Sequence, residues 1–223
     1  MPEKGIMMKL GFMKKQFGFL VIIMLSAALK CLGQQADQDL QKKYTVVNRV
    51  LSAGADAGSV HLNEAEGDGI AWVNNTEFTY GTIEFDAKGK DVLQASFLGI
   101  AFHGLNDTTY ETVYFRPFNF RSADTLRKTH AVQYMASPNF EWPKLRSEFP
   151  GKYEKGISPA PDPNNWFHVR IKVEPKLISV YVNGNSDPSL VVVPLVETGG
   201  KRIGLWAGGT DGDWKNLKIT PAK

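Results

Sequence analysis

Apolar and polar residues alternate with a period of two along most of this chain, and that period predicts strands. Residues 97–121 show it best. Leu98, Ile100 and Phe102 point one way and Gly99, Ala101 and His103 the other; Val113 and Phe115 then oppose Thr112, Tyr114 and Arg116. One face suits a core. The other sets an imidazole, a phenol and a guanidinium among small residues, which predicts the wall of a binding groove.

Further runs at 44–51, 60–64, 70–73, 77–88, 93–103, 110–118, 130–135, 166–174, 177–183, 190–195, 202–207 and 214–220 are predicted strands. Turn signals such as Gly67-Asp68-Gly69, Asn74-Asn75, Asn183-Gly184 and Gly208-Gly209 separate them. The clearest hairpin sets Phe167, Val169, Ile171 and Val173 against Val180 and Val182, with Pro175 and Lys176 at the turn. No long amphipathic helix is evident beyond the N-terminal segment. So many short strands predict an all-β, antiparallel two-sheet sandwich or jelly roll.

Residues 137–165 break the rhythm. Pro138, Pro143, Pro150, Pro159, Pro161 and Pro163 bar interior strand pairing, so a long structured loop is expected. Its aromatic residues, Trp142, Phe149 and Tyr153, either cap one end of the sandwich or form a lid over the groove, which would bring Arg146 and Tyr153 to a ligand.

Residues 1–33 read as an export signal. Lys9, Lys14 and Lys15 precede a 13-residue apolar run, 17–29, and Cys31-Leu32-Gly33 ends it. The run falls short of the roughly 20 apolar residues that span a bilayer. The mature protein is expected to begin at Gln34 or Gln35 and to be secreted or periplasmic, with a short linker at 34–43 and one domain at 44–223. A lipoprotein acylated on Cys31 is the alternative, against which Lys30 stands where a small residue is wanted.

Removing the segment takes five of the 26 Lys and Arg and one of the 23 Asp and Glu, leaving 21 basic and 22 acidic residues and a net charge of −1. Nucleic-acid binding, which needs a concentrated cationic surface, is not expected. The only cysteine goes too, and with it any disulfide, thiolate nucleophile or zinc–thiolate site in the mature domain.

The strands GIAFHG and YETVYFRPFNF, the hairpin WFHVRIKVEPKLISVYVNG and the ending RIGLWAGGTDGDWKNLKIT resemble the concanavalin A-like lectin and glucanase jelly rolls, nearest the 3-keto-disaccharide hydrolase and laminin-G-like branches of exported bacterial proteins. The resemblance covers about 44–220. It implies two stacked, curved antiparallel sheets whose concave face binds carbohydrate, in members that are catalytic and members that only bind.

Laminarinase-type members of that superfamily resemble one another in Glu-x-Asp-x-x-Glu on one strand face, which supplies nucleophile and acid. Here Glu84 and Asp86 are followed by Gly89, so the last carboxylate is missing and that chemistry is not expected. Glu84 or Asp86 as acid or base, His103 as general base and Arg116 as electrostatic clamp are the catalytic candidates; a solvated strand face and a structural histidine are the plainer readings. Tyr114, Gln133, Trp142, Arg146 and Trp206 are the candidate sugar-binding residues. Arg116→Ala is expected to leave stability nearly intact. No cofactor is required, and calcium at Asp211 and Asp213 is the one candidate ion, with a plain Gly-Asp turn as the alternative. The expected partner is an oligo- or polysaccharide. The leading expectation is a glycoside hydrolase-like enzyme; the alternative is a non-catalytic glycan-binding module of the same fold.

Overall fold

Burial follows the period of two. In β10 (Phe167–Glu174), Phe167, Val169, Ile171 and Val173 are buried and the residues between them face outward. β11 (Leu177–Val182) returns across Pro175 and Lys176 with Leu177 opposite Glu174. The computed structural model describes residues 38–197 and 199–222. The chain divides into two units, 1–41 and 42–223, and the described strands all lie in the second. The expected export segment with Cys31 lies outside the described residues. Among the described residues no helix is long and apolar enough to cross a membrane.

Two seven-stranded antiparallel sheets form a sandwich. The first runs in the order β1 (Tyr44–Val47), β4 (Asp68–Val73), β13 (Arg202–Gly208), β6 (Leu98–Gly104), β7 (Tyr110–Phe115), β8 (Val132–Ser137) and β9 (Glu154–Lys155). The second runs β12 (Leu190–Val192), β11, β10, β5 (Gly81–Lys88), β14 (Gly212–Pro221), β3 (Val60–Leu62) and β2 (Leu51–Ala53). Leu98, Ile100, Phe102, Val113, Phe115 and Leu205 of the first sheet meet Ile83, Phe85, Phe167, Val169, Ile171 and Trp214 of the second, all fully buried. Phe115 and Phe167 touch edge to face at 5.1 Å, and the Trp214 indole donates 3.0 Å to the Gly99 carbonyl of the facing sheet.

Several predicted boundaries move, each for a local reason. The run 44–51 is two strands in different sheets: Asn48 takes a left-handed conformation (φ 53°), and the chain crosses from β1 to β2 there. The run 110–118 stops at Phe115 because Pro117 has no N–H for the ladder and instead opens a short helix, α1 (Pro117–Phe120). A second short helix, α2 (Thr125–Lys128), is capped by the Asp124 carboxylate, which accepts from the Leu126 and Arg127 amides at 2.9 and 3.2 Å. The Pro-rich segment is more ordered than a loop. Pro143 lies in the first turn of α3 (Trp142–Glu148), where proline costs nothing, and β9 adds an edge strand to β8.

Phe102 is fully buried where the two sheets meet. Phe102→Ala should lower the unfolding free energy by about 3–5 kcal/mol, read from urea denaturation midpoints at unchanged slope; a loss below about 1 kcal/mol would contradict this packing.

Candidate functional site

The second sheet turns its outer face to solvent, but the outer face of the first is covered. There Tyr114 of β7 lies beside Gln133 of β8 and Gly99 of β6, and Gly99 lies beside Trp206 of β13. Tyr110, Tyr114, Trp206 and Gln133 are all nearly inaccessible. Phe97, Phe118, and α3 through its buried Leu145, form the cover. Tyr114 and Trp206 pack on each other at 5.0 Å, and the Arg116 guanidinium sits 4.8 Å above the Tyr114 ring. These two aromatics, expected as sugar-stacking platforms, are therefore floor beneath the site.

Over that floor opens a cleft of about 440 Å³. Arg116, Asn119, Arg127, His130, Trp142 and Arg146 supply its polar wall and rim, and Leu93, Phe97 and Phe118 its apolar wall. Trp142 is 46% exposed at the rim and carries the Arg146 guanidinium 5.0 Å over its ring. Of the residues expected at a site, Arg116, Trp142 and Arg146 thus come together, with Tyr114 and Gln133 bonded to Arg116 from below.

Glu154 on β9 organises these groups. Its carboxylate accepts from Arg146 Nε and Nη2 at 2.8 and 2.6 Å, and Arg116 Nη1 lies 3.6 Å away. His130 Nδ1 is 2.9 Å from Glu154 Oε2 but lacks the alignment of a hydrogen bond. Burial alone would raise the Glu154 carboxyl; Arg146, with His130 and Arg116, outweighs it and holds the group below the usual carboxylate range. His130 is pulled below the ordinary histidine value, first by burial and then by Arg146 and Arg116 against Glu154. Burial pushes the Tyr114 phenol up to about 12, so it stays protonated and accepts from Arg116 Nη2. Arg116 also donates to Gln133 Oε1 at 2.8 Å and to the His130 carbonyl at 3.0 Å. With 5% exposure and these four partners, it is a structural ion-pair residue as well as cleft wall, and the expectation that it can be removed at no cost in stability is corrected.

The other expected residues lie elsewhere. His103 does not share a face with Tyr114: β6 carries one extra residue against β13, and His103, at φ 50°, is swung to the interior side. There its Nδ1 meets Glu111 Oε1 at 2.6 Å, while the Tyr134 hydroxyl donates to Glu111 Oε2 at 2.6 Å. Burial works against the His103 imidazolium, but the bonds to Glu111 and the Thr79 carbonyl leave its pKa above the ordinary value. Glu84 and Asp86 are on β5, on the outer face of the second sheet, beside His168 and across the sandwich from the cleft. Asp211 pairs with Lys90 at 2.6 Å and Asp213 with His61 at 3.0 Å. Each of these two carboxylates is thus engaged by a basic side chain, and among the described residues no group of three or more His, Cys, Asp and Glu side chains converges. Pattern reading passed over Glu154, His130, Asn119 and Arg127. The available signal was a run of arginines, Arg116, Arg127 and Arg146, in a region with few acids.

No protein-family model matches the sequence, and no curated protein matches it. Among solved structures the chain is similar to the carbohydrate-binding module CBM66 from Bacillus subtilis, at 14% identity over 78% of this chain and 93% of that one, with a TM-score of 0.56. It is similar to the carbohydrate recognition domain of Emp46p in its potassium-bound form, at 13% identity over 81% and 89%, TM-score 0.53. A provisionally named glycosyl hydrolase from Parabacteroides distasonis matches at 11% identity over 82% and 89%, TM-score 0.51. At these identities the likeness is one of fold, the lectin-like jelly roll.

Removing the Glu154 charge strands buried guanidinium, so Glu154→Gln should cost about 3–5 kcal/mol at pH 7. Because the folded carboxyl titrates below its unfolded value near 4.3, its contribution is full above that pH and disappears as pH falls through the folded value. Unfolding curves from pH 7 to 3 should show the gap between wild type and Glu154→Gln closing on acidification; a gap independent of pH would refute the ion cluster.

Proposed function

We propose that this protein is a glycan-binding domain whose ligand occupies the cleft on the outer face of the first sheet. The observation that carries the reading is the cleft itself: an exposed indole at the rim, apolar walls, and fixed guanidinium, amide and imidazole groups on the opposite side. Sugars offer an apolar ring face to Trp142 and hydroxyls to Asn119, Arg127 and His130. The fold shared with a carbohydrate-binding module and a carbohydrate recognition domain supports the reading. Export, through the leader pattern at 1–33, is the setting we propose for it, with lipid anchoring at Cys31 as the alternative.

A binding module fits the site better than a glycosidase. Hydrolysis of a glycosidic bond by the common route takes two carboxyl groups flanking it, one of them protonated. No carboxylate lines the cleft among the described residues; Glu154 is buried behind Arg116 and Arg146, and these arginines keep it ionised. Among the described residues nothing in the cleft favours the chemistry of the 3-keto-disaccharide hydrolase branch, which the sequence resembles, over binding.

A glycan array probed with the protein should return at least one oligosaccharide, bound without formation of new reducing ends. Trp142→Ala should weaken it about tenfold, roughly 1.4 kcal/mol, at an unchanged unfolding midpoint because the indole is half exposed. Release of reducing ends would reinstate the hydrolase, and full-strength binding by Trp142→Ala would move the site elsewhere.

A further inference from the structure

Charge in the cleft does not balance. Three guanidiniums, Arg116, Arg127 and Arg146, line it, and one carboxylate, Glu154, answers them. Arg116 spends three of its donors downward, on Tyr114, Gln133 and the His130 carbonyl, and Arg146 gives Nε and one Nη2 proton to Glu154, with no partner for its Nη1 among the described residues. Arg127 has no carboxylate within ion-pair distance of its guanidinium among the described residues; the one hydrogen bond of its side chain there is long, 3.4 Å from Nε to the amide oxygen of Asn119. Asn119 is itself fixed, donating to the His130 carbonyl at 3.1 Å. Two cationic forks with open donors therefore border one cleft, beside an indole that suits a sugar ring. Guanidinium donors in this arrangement match planar or tetrahedral oxyanions better than they match hydroxyls.

Resting on the glycan reading above, we propose that the preferred ligand is an acidic saccharide, with its carboxylate or sulfate held by Arg127 and Arg146 and its ring against Trp142. Glu154 fixes the direction of the Arg146 fork, and the excess positive charge supplies the discrimination against neutral sugars of the same shape. The imbalance is local: the chain from 34 onward carries a net charge of −1, so a general attraction to anions does not explain it.

Matched pairs of ligands test this by titration calorimetry on the full chain: uronate oligosaccharides against their methyl esters, and sulfated oligosaccharides against their desulfated forms. One member of an acidic class should bind at least tenfold tighter than its neutral counterpart, and the preference should shrink as salt is raised; which pair shows it tells carboxylate from sulfate. Arg127→Gln should remove most of the preference and Arg127→Lys retain most of it, both with unaltered unfolding midpoints. Equal affinity for charged and neutral partners, or an acidic preference indifferent to Arg127→Gln, would overturn the acidic ligand and leave glycan binding standing. Failure to bind any saccharide, charged or neutral, would overturn both.

Discussion

The first sheet is covered on both faces, and the candidate site is a consequence of that. A sheet face that looks at water can carry any polar residue; on a covered face an unpaired one is costly, so most are paired. Tyr114, Gln133, Arg116 and Glu154 are dry side chains on or beside the outer face, and each is satisfied by another of the set or by Arg146. The pairing fixes where the guanidiniums of Arg116 and Arg146 lie. Cover and site are thus one construction: the two short helices that close over the sheet with Phe118 and Leu145 also carry Asn119, Trp142 and Arg146 of the cleft.

A different arrangement holds the far end of the same strands. The extra residue in β6 turns His103 inward, and a carboxylate between an imidazole and a phenol results, with the Tyr134 hydroxyl also accepting from the Leu195 amide at 3.1 Å. This network ties β6, β7 and β8 to the segment after β12. Its geometry accounts for the otherwise costly left-handed backbone at a histidine, which the three surrounding rings, Phe78, Tyr80 and Phe102, keep in place.

What was legible in the sequence tracks how local its cause is. The hairpin of β10 and β11 was plain because one face is core and the other solvent, so alternation translates directly into burial. Which sheet a strand joins is not periodic information: β5 reads as well as β6, yet puts Glu84 and Asp86 on the side of the molecule away from the cleft. Alternation points His103 outward, but the bulge in β6 inverts the parity of the residues beyond it. Alternation marks Arg116 but not its ion-pair role, because its partner Glu154 sits on a two-residue strand inside a proline-rich stretch that offers no period at all. Trp206 was expected to be open because alternation says which side a residue faces, not what lies on top of it.

The crossing at Asn48 has a thermodynamic meaning beyond topology. β1 ends the first sheet and β2 ends the second, so a few residues staple together two edges that would otherwise fray independently. Arg49 anchors the staple, donating to the carbonyls of Asn48 and Gly67 at 2.6 Å each and to that of Ala207 at 3.2 Å. Peeling either edge strand strips this buried guanidinium of its acceptors and loosens the other. A shared anchor of this kind couples the two edges, so that the local stability of β1 and that of β2 draw on the same contacts although the strands belong to different sheets.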